Sequence, residues 1–262
     1  MKNIKTITLT GGLGNQLFQY AHGRKLEIIN KKKVIFNTSF FYNSRPQKDT
    51  PRPFLLNRFN INPQAVFTNT PENLIIRFFK KVFYKITKRY PLYQSEKYFI
   101  QIKDTILREI IPVSPLTIEI QDIVNNIRSK DDSVSIHIRR GDYVDNIHHN
   151  VCDLDYYYKA IEYIKTKTQN PTFFIFSDDI QWAKENLKIE NCVYVSNPNL
   201  KEYEEMIIMS ECHHNIIANS TFSWWAAYLN KNHDKSIIAP KQWTNSKTAD
   251  QLEILPSGWV QL

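Results

Sequence analysis

The chain has 262 residues, 42% of them hydrophobic and 23% charged, enough apolar mass for a sizeable core in one large domain or two smaller ones. That balance excludes a disordered or low-complexity chain, and no apolar run reaches the roughly 18 residues of a membrane span. The formal net charge is +8, but Arg77, Lys80, Lys81, Lys85, Lys88 and Arg89, with no acid among them, account for +6 of it, so the excess is local.

The opening MKNIKTITLTGG alternates like a strand. It has neither the apolar stretch nor the cleavage site of a secretory leader, so a cytoplasmic protein is expected. Cys152, Cys192 and Cys212 are odd in number and form no CxxC pair. They fit a reducing compartment and argue against a disulfide framework or a zinc site. Ile4 to Thr10 predict a strand, Gly11, Gly12 and Gly14 a turn, and Leu17, Ala21 and Ile28 a helix; Val34 to Phe36 then begin a second strand. Residues 37–70 lack a sustained period and read as loops and short pieces. Residues 72–90 read as a basic helix with Ile75, Phe79, Val82, Phe83 and Ile86 on one face. Two readings stand for it: a core helix with a solvated cationic face, or peripheral docking of 75–89 on an anionic membrane.

From Val134 onward strands and helices alternate: VSIHI, DLDYYYKAIEYIKTKT, TFFIFS, DDIQWAKENL, CVYVS, NLKEYEEMIIMSEC, NIIANS, TFSWWAAYLN and KSIIAP. Such alternation predicts an α/β fold with a parallel, doubly wound sheet whose ligand sits beyond the carboxyl ends of the strands. That rim carries His137 to Asp142, Ser177 to Asp179, Ser196, Asn197, Asn219 to Thr221, and Lys241 to Trp243. A junction near 115–130 gives two Rossmann-like domains, at 1–125 and 126–245, facing across a cleft. A tail at 246–262 is expected to pack back on the body.

Several motifs tempt a reading. GGLGNQLF lacks the third glycine of a dinucleotide fingerprint and the second strand ends in Asn37 rather than an acid, so a nicotinamide or flavin nucleotide is not expected. Asn15 and Gln16 at the helix start still put amides toward a polar ligand. The DLD of 153–155 precedes a helix, where Asp is a routine cap, so it is read as a cap rather than a metal motif. His148 and His149 lack further ligands at metal spacing. Arg139 and Arg140 are either a surface pair in salt bridges or a fork for phosphate oxygens. Asn219, Ser220 and Thr221 open a helix whose N-terminus attracts an anion, and with the arginines on the same rim they read as a diphosphate cradle.

GGLGNQLFQYA, HIRRGDYV followed by HNVCDLDYYYKAIEYI, FSDD, and EYEEMIIMSECHHNIIANSTFSWWAAYL occur in order from Gly11 to about Trp243. This series resembles that of the bacterial α-1,2-fucosyltransferases, glycosyltransferase family 11; residues 37–130 carry almost none of it. The resemblance implies a GT-B-like fold with an acceptor-side first domain and a donor-binding second one. It implies GDP-β-L-fucose as donor, inversion to an α-linked fucose on the 2-OH of a terminal β-galactoside, and no obligatory metal or other cofactor. On this resemblance Arg139 and Arg140 hold the pyrophosphate with His137 beside them. Ser220 and Thr221 complete the phosphate site, and Gly12, Gly14, Asn15, Asp178 and Asn219 add donor contacts. Asn15, Gln16 and His149 face the acceptor. Glu205 either reads guanine N1–H and N2–H₂ or is a solvated helix carboxylate. Arg139 is expected to stabilise the leaving diphosphate. Asp142 and His149 are the candidate bases, although Asp142 could instead brace an arginine.

The acceptor is expected to be a galactose-terminated oligosaccharide, lipid-linked at the inner face of the bacterial plasma membrane if 75–89 docks there. Rival readings are a GDP-sugar transferase of another linkage or donor, and a non-catalytic glycan or nucleotide binder. A nucleic-acid-binding module is disfavoured, because the basic cluster stands apart from the paired arginines and no RNP-like motif appears.

Overall fold

The structure is a computed structural model that describes residues 4–42, 52–71, 78, 82, 92–144, 146, 148–245 and 253–262. The basic helix predicted over 72–90 therefore lies outside the described residues, apart from Phe78 and Val82. The chain divides into two compact units, Met1–Ser114 with Thr248–Pro256 and Pro115–Lys247 with Ser257–Leu262. The boundary thus falls before the helix Ile118–Arg128 rather than at residue 125. That helix buries Ile120, Val124 and Ile127, packs on Glu202–Ser210, and is tied there by Arg128 to Glu211 at 2.6 Å. The tail is not one piece either: it divides between the two units.

In the first unit β1 (Ile4–Thr8), β2 (Lys33–Asn37) and β3 (Val66–Thr68) form a parallel sheet in the order β1-β2-β3. The helix α1 (Leu13–Ile28) links β1 to β2 and buries Leu13, Leu17, Phe18, Tyr20 and Ala21. Gly23 lets α1 press against the Phe36 ring, where a Cβ would collide with it. β3 lies in a stretch read as loops: three residues are too few for a period to show, and pairing with Ile35 to Asn37 makes them a strand. The helix α2 (Lys103–Glu109) brings Glu109 to α1, where it accepts from the Tyr20 hydroxyl at 2.6 Å and from Arg24 at 2.8 Å.

The second unit holds α3 (Ile118–Arg128), β4 (Ser133–Ile138), α4 (Leu154–Lys165), β5 (Thr172–Ser177), α5 (Ile180–Asn186) and β6 (Cys192–Tyr194). α6 (Glu202–Ser210), β7 (His214–Ile216), α7 (Thr221–Leu229), β8 (Ile237–Ala239) and β9 (Val260–Gln261) follow. All sheet pairings are parallel and the order is β6-β5-β4-β7-β8-β9. Counted from β4, that is the 3-2-1-4-5-6 order of a Rossmann sheet, which reverses direction between β4 and β7. On one face Val134, Ile136 and Ile138 pack with Tyr157, Ala160 and Ile161 of α4. On the other, Asn215 donates to Ser135 at 2.7 Å; Trp224 and Trp225 of α7 are fully buried. No helix among the described residues is long and apolar enough to cross a membrane.

Candidate active site

The reversal point between β4 and β7 is where a doubly wound sheet opens a crevice for its ligand, and the paired arginines stand there. Arg139 and Arg140 leave the end of β4, and Gly141–Tyr143 form a short 3₁₀ turn. Asp178, from the end of β5, holds both: Oδ1 accepts the Arg140 backbone N–H at 2.8 Å and Oδ2 lies 3.0 Å from Arg139 Nη1. Arg139 also pairs with Asp142, and its guanidinium lies 5.4 Å from the centre of the Tyr143 ring. Burial works against its charge, yet Asp178 and Asp142 raise its affinity for the proton above the ordinary arginine value. Arg140 donates from Nε to Asp179 at 3.2 Å and stacks on Trp182, 3.8 Å from the ring centre. Gly141 is required by proximity, since a Cβ there would sit 2.6 Å from Asp178 Oδ2.

A small cleft lined by Arg139, Arg140, Tyr143, His149, Trp182 and Asn219 opens over this turn. His149 stacks on Tyr143 with ring centres 4.9 Å apart, and burial lowers its pKa, so the imidazole is kept neutral and able to accept a proton. Asn219 has a different role from the predicted one. Its amide donates to the His149 carbonyl at 2.9 Å and to the Trp243 carbonyl at 3.0 Å, while Oδ1 accepts from Cys152. Both amide hydrogens are engaged, so this side chain fastens the loop that carries His149 and offers no donor hydrogen to a ligand. Ser220 caps α7 by accepting from the Phe222 N–H at 3.3 Å, and Thr221 is its first residue. His137 does not reach the cleft surface. Its ring is buried against Phe222, and burial, aided by the Arg139 charge, pushes its pKa down to about 3. It is a neutral ring under the arginines. Asp153 caps α4 by accepting from Tyr156 N–H at 2.9 Å, which accounts for the DLD motif.

Glu205 lies in the first turn of α6 at the same rim. Burial drives its carboxyl up to about 7; Ser196 opposes this through a hydrogen bond, while Glu202 and Asp178 add to it. A partly buried carboxyl with so high a proton affinity is poised for N–H donors, which would stabilise its anion.

The predicted residues of the first unit gather at the start of α1. Gly12 is its N-cap and Gly14 is buried in its first turn. Gly11 adopts φ +76°, and a Cβ there would lie 2.5 Å from Asn15 Nδ2. Asn15 Oδ1 accepts from Gln94 at 2.7 Å, which fixes the amide's direction. Gln16, predicted to face an acceptor, is fully buried instead. It donates to the Pro53 carbonyl at 2.8 Å and to Gly11, and accepts the Leu55 N–H at 2.9 Å. Its amide ties residues 53–55 to α1.

Sequence reasoning placed Asp179 on the rim without a role, and missed Trp182, Tyr143 and Gln94 as partners of the site residues. Asp179 was legible as the second acid of FSDD. Trp182 and Gln94 had no signal, because their roles arise from contacts 42 and 79 positions away in sequence.

A sequence profile described as glycosyl transferase family 11 matches residues 1–262. The O-antigen biosynthesis glycosyltransferase WbnK of Escherichia coli is 31% identical, over 97% of this chain and 99% of its own length. An alpha-1,2-colitosyltransferase of Escherichia coli is 33% identical, over 99% of each. Among solved structures, the NodZ alpha-1,6-fucosyltransferase soaked with GDP-fucose superposes with a TM-score of 0.53 at 13% identity, over 87% of this chain and 93% of its own. The two Rossmann-like units are those of the GT-B glycosyltransferase fold. With a whole-length profile match and near full-length relatives above 30% identity, the chain belongs to glycosyltransferase family 11.

Proposed function

We propose that the protein transfers L-fucose from GDP-β-L-fucose to the 2-OH of a terminal β-galactoside, with inversion, in the assembly of a bacterial surface glycan. One observation carries this reading: Arg139 and Arg140, fastened by Asp178, stand at the sheet's reversal point beside the start of α7. When the bond between the sugar C1 and the β-phosphate oxygen breaks, its electrons go to the departing GDP, and fixed cationic donors stabilise that charge. The helix start at Ser220 and Thr221 adds its dipole. Glu205, as its anion, accepts from guanine N1–H and N2–H₂. The acceptor oxygen bonds to C1 from the opposite face, and its proton passes to His149 or Asp142. His149 is the better base: Asp142 is paired with Arg139, while His149 is neutral and faces the cleft.

A second reading keeps the site and changes the sugar. The 33% identical relative is named for colitose, so a GDP-linked deoxyhexose other than fucose is the specific rival. The test is release of GDP from GDP-fucose and from GDP-colitose, with EDTA present, across a panel of β-galactosides. Acceptor-dependent release from GDP-fucose that persists in EDTA and is lost in Arg139→Ala supports the first reading. Preference for GDP-colitose supports the second. Tight GDP binding without release from either donor would overturn both and leave a nucleotide-binding protein.

A further inference from the structure

We propose that Asp179 and Trp182 are positioning residues that hold the Arg140 guanidinium by one edge and one face, leaving its far edge for the terminal phosphate of a nucleoside diphosphate. This rests on the nucleotide-sugar reading of the site and names the residues that make its second arginine effective.

Three contacts define the device. Asp179 Oδ2 accepts from Arg140 Nε at 3.2 Å, the Trp182 ring covers the guanidinium at 3.8 Å, and the Arg140 backbone N–H is fixed on Asp178. The same Asp179 carboxylate caps α5, with Oδ1 accepting from the Trp182 N–H at 3.1 Å. One side chain therefore sets both the charge beside Arg140 and the start of the turn that carries the ring above it. Asp179 is itself seated, its N–H donating to Ser177 Oγ at 3.0 Å. Among the described residues neither Nη of Arg140 meets a polar partner, whereas both Nη atoms of Arg139 contact carboxylates. The Arg140 side chain is 25% exposed and lines the cleft.

The clamp matters because arginine has a long, rotatable side chain, and a fork aimed in advance loses less freedom when it takes a phosphate. Trp182 serves that use in addition to packing. It is only half-buried: part of the ring packs on the core beside Ala183, and the face that carries the Arg140 guanidinium serves the arginine. Indole is also the strongest of the aromatic faces for a cation.

The experiment measures GDP and GMP binding by calorimetry for wild type, Asp179→Asn, Trp182→Leu, Trp182→Phe and Arg140→Ala, and for each clamp change combined with Arg140→Ala. Asparagine keeps the helix cap but replaces the acceptor facing Arg140 with an amide. The clamp predicts that Asp179→Asn and Trp182→Leu each weaken GDP about fivefold to tenfold while GMP stays within about twofold. Trp182→Phe should recover most of the loss, and neither change should add to Arg140→Ala. Equal weakening of GDP and GMP would show a merely structural role and overturn the proposal. An unchanged GDP to GMP ratio in Asp179→Asn would overturn it too. A wild-type protein that binds GDP no more tightly than GMP would instead bring down the nucleotide-sugar reading on which the clamp rests.

Discussion

Replacing Glu205 by glutamine across a range of pH separates a desolvated carboxyl from an ordinary helix acid. In the folded protein burial raises this group from 4.5 to about 7. Below about pH 4.5 the carboxyl is protonated in the folded and unfolded states alike, and the stability that the neutral form confers is fully present. As pH rises through about 7 the folded state must also ionise it, and that stability is lost. The shift corresponds to about 3 kcal/mol at 1.36 kcal/mol per unit, an upper bound because Glu205 is partly solvated. Glutamine pays no such penalty at any pH. Urea unfolding followed by tryptophan fluorescence should therefore give nearly equal midpoints for wild type and Glu205→Gln at pH 5. At pH 8 the variant should be more stable by about 0.5 to 1 M urea. A separation that is the same at both pH values would refute the raised carboxyl. Guanine binding adds a second arm, since N–H donors favour the anion. If only ionised Glu205 binds, wild-type GDP affinity should fall about tenfold from pH 8 to pH 6 beyond the change in Glu205→Gln, which registers the titration of GDP itself. Identical pH profiles would remove Glu205 from the guanine site.

Gly141→Ala places a methyl group 2.6 Å from Asp178 Oδ2, so the carboxylate must swing away from both arginines. GDP affinity should drop about tenfold, the loss of one or two charge-assisted hydrogen bonds, and an unchanged dissociation constant would show that Asp178 does not organise the pair. Gln16→Ala removes three hydrogen bonds from a buried amide to the backbone around α1, at a cost of about 2 kcal/mol seen as a lower urea midpoint. Unaltered stability with a raised KM for the acceptor would return Gln16 to the acceptor role that its position in sequence suggested.

The sequence by itself determined the alternation of strand and helix from Val134 onward. It also determined the first βαβ unit, the helix caps at Asp153 and Ser220, and the gathering of Arg139, Arg140 and Asp178 at one rim, whereas Glu205 was pointed to only by the family resemblance. These follow from local rules: a period of two or 3.6, a cap that needs a side-chain oxygen, and a strand end that turns its residues toward the crevice. Tertiary structure alone decided which rim residues remain available. An asparagine or glutamine has the same letter whether its amide meets a ligand or a loop carbonyl. Asn219 is engaged by Trp243, 24 positions on, and Gln16 by Leu55, 39 positions on. The depth of His137, the proton affinity of Glu205 and the ring over Arg140 likewise depend on neighbours brought close by folding. Saturation of hydrogen bonds and loss of solvent are properties of the packed chain, so no local period announces them.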